Sequence, residues 1–164
     1  MKTFYEKQKF NQWWIWLIII AITVASSYAA IQQLVFKVPF GNEPASDNVL
    51  IILCMVPLFI LTIFTFMYLE TKINSDGVFY KFNILHFKYR QIKWEEIEKI
   101  YTREYRPVAE YGGWGIKWGR KSGKAYNISG NQGVQIELKN GKKILIGTQK
   151  SQEVELLLQE LNKK

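Results

Sequence analysis

The side chains that could do chemistry in this chain are few and poorly grouped. Proton transfer near neutral pH would have to use His86, the single histidine, or one of two aspartates, Asp47 and Asp76, and both aspartates fall in loop or turn contexts. His86 sits between Leu85 and Phe87 in a strand-like run, so no triad can be assembled around it. Cys54, the single cysteine, lies in an apolar run, which excludes an internal disulfide and a thiolate zinc site. Glu95, Glu96 and Glu98 are neighbours in one turn and point apart, beside Lys93 and Lys99. The glycines of Tyr111 to Gly119 match neither the G-x-x-x-x-G-K-[ST] nor the G-x-G-x-x-G phosphate template and are read as permitting a bulge around Trp114. No catalytic residue, cofactor site or metal site is expected.

One constellation suits binding: Trp114, Lys117, Trp118, Arg120, Lys121 and Lys124 interleave aromatics with cations and contain no acid. Tryptophans beside a cationic turn can enter a lipid interface while the cations meet anionic head groups, each worth about 1 kcal/mol near the surface. The same residues could serve single-stranded nucleic acid, but no second basic stripe accompanies them and no nucleic-acid partner is expected. The alternative is a barrel hairpin with one tryptophan in the core and a solvated turn.

The elements that position these residues begin with two runs free of Asp, Glu, Lys and Arg, Trp13 to Leu34 and Val49 to Leu69. The second would rise about 31 Å as a helix, close to the thickness of a hydrocarbon core. Residues 1–70 are therefore assigned to an N-terminal segment and two transmembrane helices, about 13–35 and 49–69. Lys2, Lys7 and Lys9 precede the first helix, Lys37 alone lies in the connector, and Lys72, Lys81, Lys88, Arg90 and Lys93 follow the second. The positive-inside rule then puts both termini in the cytoplasm and the chain in the inner (plasma) membrane, with Trp13, Trp14 and Trp16 as interface anchors. A signal-peptide reading, with a cut near Ala25 to Ala30, stays open. Either way, midplane ionisable groups that would mark a transport path are absent from both runs.

Residues 71–164 change to a period-two pattern with frequent turns, and they carry nearly all of the net charge of +8. Asp76-Gly77 predicts a hairpin turn, Asn140-Gly141 a type I′ turn, and further strands are expected at Gly113 to Trp118 and Lys124 to Ile128. Val154, Leu157, Leu158 and Leu161 make one apolar helix face over about 151–162, which Ser151 can cap. Short strands in an antiparallel meander followed by such a helix read as a small, mainly-β barrel of about seven strands, or as two bent sheets, whose open end the helix closes.

The stretch Ile92-Lys93-Trp94-Glu95-Glu96-Ile97-Glu98-Lys99-Ile100 resembles the strand, tight turn and strand of bacterial pleckstrin-homology-like (PH-like) domains. Tyr111 to Ile116, Asn140-Gly141 and Gly147-Thr148 are similar to the same group. That resemblance implies a PH-like fold behind a two-pass membrane anchor, and no settled activity. The expected function is a non-enzymatic membrane protein whose cytoplasmic domain meets membrane lipids or a protein partner. Two alternatives remain: a membrane enzyme acting on a lipid or envelope precursor through Arg103, Arg106, Glu110 and Tyr111, and a self-association module.

Overall fold

The computed structural model describes residues 2–120 and 122–162. The chain divides into two compact units, one of residues 11–66 and one built from residues 1–10 together with 67–164.

The first unit is a helical hairpin. Helix α1 (Trp13–Ala30) continues as one π-helical turn over Ile31–Val35, and α2 spans Asp47–Phe66 with Pro57 inside it. Both are long and apolar enough to cross a membrane. The connector is tied at its base by Gln33, whose side-chain amide donates to the Ala45 carbonyl at 2.8 Å and to Asp47 at 2.9 Å. Helix α2 ends three residues before the expected Leu69. Tyr68 and Leu69 are apolar for a different reason: they open a strand, and Leu69 is fully buried in its sheet.

The second unit starts before the hairpin. Strand β1 (Phe4–Lys9) pairs antiparallel with β2 (Tyr68–Asn74), with Phe4 opposite Ile73 and Lys9 opposite Tyr68. The N-terminal segment, assigned from sequence to the membrane part, is thus an edge strand of the β unit, which resumes at Met67. Strand β3 (Gly77–Phe82) follows β2 through a turn at Ser75-Asp76, one residue earlier than the expected Asp76-Gly77, with Gly77 already paired to Asn74, and β4 (Arg90–Ile92) completes a sheet ordered β1-β2-β3-β4.

A tight turn at Trp94–Glu96 leads into β5 (Ile97–Glu104), so the predicted strand, turn and strand over 92–100 are present. Glu96 closes that turn by accepting the Lys93 backbone N–H at 2.9 Å. The turn carries the chain from one sheet to another, and this second sheet has the order β5-β8-β9-β7-β6. Its strands are β6 (Gly115–Gly119), β7 (Gly123–Asn127), β8 (Gln132–Leu138) and β9 (Lys143–Gly147), with the short helix α3 (Pro107–Tyr111) before β6.

Two expectations are corrected here. The sheets stay separate and do not close into a barrel, and β7 pairs parallel with β9, Lys124 opposite Ile144. The parallel pair arises because β9, after its hairpin with β8, fills the place between β8 and β7.

Helix α4 (Ser151–Glu160) packs on β1 of one sheet and on β5 and β8 of the other, burying Val154, Leu157 and Leu158. Ser151 is its first residue and not its cap; the hydroxyl donates to Gln132, while Thr148 Oγ1 accepts the Lys150 N–H at 3.0 Å. Between the sheets, Glu6 on β1 accepts Thr148 Oγ1–H at 2.6 Å and the Gln149 N–H at 2.8 Å. Gln8 donates to the Gly147 carbonyl at 2.7 Å. These polar bonds tie the first strand of the chain to the last.

Candidate functional site

The β unit carries an open cleft of about 590 Å³ where the β6–β7 hairpin, the β8–β9 turn and the β3–β4 strands meet. Among the described residues five cations line it, Arg90, Arg120, Lys124, Lys142 and Lys143, and no carboxylate does. Trp118, Tyr80 and Tyr126 supply the aromatic wall.

Local pairing explains the geometry. Trp118 and Lys124 are directly opposed across the β6–β7 hairpin, so both project to the same face of the sheet. The Lys124 ammonium sits 4.3 Å from the Trp118 ring centre and 4.9 Å from that of Tyr126, a cation–π arrangement that leaves the Trp118 ring 73% exposed. Parallel pairing of β7 with β9 brings the Lys142-Lys143 turn alongside, and β4 contributes Arg90. Lys143 reaches Glu137 at 3.3 Å; among the described residues no carboxylate pairs with Arg90, Arg120, Lys124 or Lys142. Four cations without a carboxylate partner around an aromatic wall give the cleft a positive potential, which attracts anionic groups.

Beneath the cleft lies an aromatic stack. Tyr80 and Tyr126 have ring centres 4.7 Å apart, and His86 lies 5.8 Å from the first and 5.5 Å from the second. Burial, then hydrogen bonding to Tyr126, pushes the Tyr80 phenol well above its ordinary value. His86 is only 4% exposed and sits in a loop, not in the strand-like run expected from sequence. Its Nδ1 accepts the Phe82 N–H at 3.3 Å, and its Nε2 has no hydrogen-bond partner among the described residues.

Burial, reinforced by Arg90 and Lys124, lowers the His86 pKa below its ordinary 6.5. The sign follows: in acid the unfolded chain takes up this proton before the folded one does, so stability is lost as pH falls through 6.5 toward the depressed folded value. Denaturant titrations at pH about 7.5 and about 5.5 should show the loss. His86→Asn, which keeps an acceptor for Phe82 N–H but cannot titrate, should flatten it.

The sequence-derived patch is divided by the fold. Trp118, Arg120 and Lys124 belong to the cleft. Lys117 pairs with the buried Ala125, so strand alternation puts it on the opposite face from Trp118. Trp114 is half-buried and donates its indole N–H to the Gly130 carbonyl at 2.9 Å, a structural role. Lys121 lies outside the described residues. Sequence reasoning missed Tyr80, Arg90, Tyr126, Lys142 and Lys143. The one available signal was the Lys142-Lys143 pair after Asn140-Gly141, a second cationic turn whose proximity depends on the parallel pairing.

Arg103, Glu110 and Tyr111 gather, and Arg106 joins them through its backbone alone. The Arg103 guanidinium forks onto Glu110 at 3.2 and 2.8 Å, with its Nε donating to Gln135 at 3.0 Å. Glu110 also accepts the Arg106 backbone N–H at 2.8 Å, and Tyr111 donates to the Ser122 carbonyl at 3.1 Å. The hydrogen bond and charge of Arg103 hold the Glu110 carboxyl below the usual range. The Arg103–Glu110 ion pair is thus a latch between β5 and α3. Trp13, Trp14 and Trp16 occupy the first turn of α1, the first two exposed. Among the described residues there is no group of three metal-ligating His, Cys, Asp or Glu side chains. Compared with models of known protein families and with curated proteins, the sequence matches none.

Proposed function

We propose that this is a two-pass membrane protein whose β unit, PH-like in its sequence pattern and non-enzymatic, holds anionic lipid head groups in the Arg90–Arg120–Lys124 cleft. The observation that carries the reading is the lining itself: five cations, three aromatics and no acid in one open cleft. A tethered domain needs little intrinsic affinity, because its anchor supplies an effective concentration of order mM.

The topology in this proposal puts both termini on the cytoplasmic face of the plasma membrane. The pairing of β1 with β2 supports a single side, since one strand precedes α1 and the other follows α2. The excess of lysines at the two outer flanks over the connector supports that side being cytoplasmic. Signal-peptide cleavage near residues 25–30 would remove β1, and Glu6 with its bonds to Thr148 and Gln149 argues for retention.

The test uses the full chain in nanodiscs with and without anionic phosphatidylglycerol. Amide exchange across β6, β7 and the Lys142-Lys143 turn should slow when the anionic lipid is present. The Arg120→Ser/Lys124→Ser/Lys142→Ser variant should lose that protection, since three cations at about 1 kcal/mol each amount to a roughly 100-fold weaker interaction. Equal exchange in both discs would refute lipid binding. A photoreactive residue in place of Trp118 adds a second arm: labelling of one protein instead of lipid would turn the assignment to a scaffold.

A further inference from the structure

The loop between β3 and β4 has a character that the cleft does not explain. Ile84, Leu85 and Phe87 are all exposed, Phe87 at 94%, while His86 between them is buried. Elsewhere in the β unit exposed aliphatic side chains such as Val108 and Leu156 occur singly.

The presentation is built. The Phe82 carbonyl accepts N–H groups from both Leu85 and His86, at 3.0 and 2.8 Å, and His86 Nδ1 accepts the Phe82 N–H in return. With the imidazole held inward beside Tyr80 and Tyr126, the flanking apolar side chains are turned outward. Water gives no reason to hold three large apolar groups in a bonded turn; an apolar phase does.

The register says where this loop lies along the sheet. Phe82 pairs with Leu69, the Asn83 N–H donates to the Tyr68 carbonyl at 3.1 Å, and the Tyr68 N–H donates to Asn83 Oδ1 at 2.8 Å. Tyr68 is two residues beyond Phe66, where α2 ends, and it also faces Lys9, four residues before α1 begins. The loop therefore leaves the strand end from which the chain runs into both apolar helices. From Gly77 to Lys93 the sequence holds Lys81, Lys88, Arg90 and Lys93 and no carboxylate. Apolar tips set among cations match an interfacial layer of acyl chains below anionic head groups.

We propose that the 83–89 loop is a third membrane-contacting element, which seats Ile84, Leu85 and Phe87 in the bilayer that α1 and α2 span while Lys88 and Arg90 meet its head groups. The inference rests on the spanning reading of the two helices; it shares Arg90 with the cleft and uses none of the cleft's other cations.

The experiment uses the full chain in nanodiscs, with Cys54→Ala as background and single cysteines at Phe87→Cys, at Val108→Cys on α3, and at Met55→Cys within α2. Each is labelled with an environment-sensitive dye and read against lipids brominated along the acyl chain. The expected result is strong quenching at positions 87 and 55 and none at 108. Quenching at 55 alone, with 87 as water-exposed as 108, overturns loop insertion and leaves the helices in the membrane. No quenching at 55 removes the spanning premise and the proposal with it. A label at 87 shielded from both water and lipid, with dye–dye coupling between chains, overturns the proposal in favour of a second copy seated on the loop.

Discussion

A fragment beginning at Thr71, the natural cut suggested by the sequence, will fail to fold. It lacks β1 altogether and starts inside β2, after Leu69 and Glu70 have been removed. Phe4 is buried, and burying one such side chain is worth about 2–3 kcal/mol. Loss of β1 also leaves Ile73 and Thr71 at a raw sheet edge, and it strips Thr148, Gln149 and Gly147 of their bonds to Glu6 and Gln8. Against a total stability of about 5–15 kcal/mol, these losses together leave little for a folded state. The matched control joins residues 2–10 to 67–164 through a short glycine linker in place of the helical hairpin. Lys9 and Tyr68 are paired, so the linker has only a hairpin turn to make. Amide dispersion in two-dimensional NMR should be native-like for the joined chain and collapsed for the 71–164 fragment. A well-dispersed 71–164 spectrum would show that β1 is dispensable.

That strand was hidden in the sequence for a physical reason. Its inward positions are Phe4, Glu6, Gln8 and, just beyond, Phe10, so the middle two inward side chains are polar and the period-two apolar signal is broken. Burial of the Glu6 carboxylate and of the Gln8 side-chain N–H is tolerated because the other end of the chain supplies their partners, a condition no local window contains. The β2–β3 and β8–β9 hairpins and the face of α4 were legible because turn chemistry and helical period are local, although the Asn140-Gly141 turn is not the expected type I′, since Gly141 takes a positive φ of +79° and Asn140 does not. Leu69 misled for the opposite reason: hydropathy does not distinguish a residue buried in lipid from one buried in a sheet. The cleft was half legible. Trp118, Arg120 and Lys124 share one hairpin, whereas Arg90, Lys142 and Lys143 join them only through two sheets meeting and through a parallel strand pair that a meander does not contain.

Gly123 and Gly141 provide the sharpest test of that parallel pair and of the cleft built on it. Both line the cleft, and both have left-handed backbone, with φ of +77° and +79°. Alanine at either position should therefore pay a similar conformational cost of about 1 kcal/mol. Their surroundings differ. A Cβ at Gly141 would meet nothing within 4 Å, but one at Gly123 would lie 2.1 Å from the Lys143 carbonyl oxygen and 2.7 Å from its carbon. Those are backbone atoms, so relief requires β7 to move away from β9 and the Lys124–Ile144 pairing to open. Gly123→Ala is expected to cost about 3 kcal/mol or more in denaturant unfolding of the full chain in detergent, against about 1 kcal/mol for Gly141→Ala. At conditions where both variants remain folded, Gly123→Ala should also weaken the anionic-lipid protection of β6 and β7, because the wall carrying Trp118 and Lys124 is displaced from the one carrying Lys142 and Lys143. Equal destabilisation by the two alanines would mean that β7 and β9 are not in contact at this point, and the five-cation cleft would lose its frame.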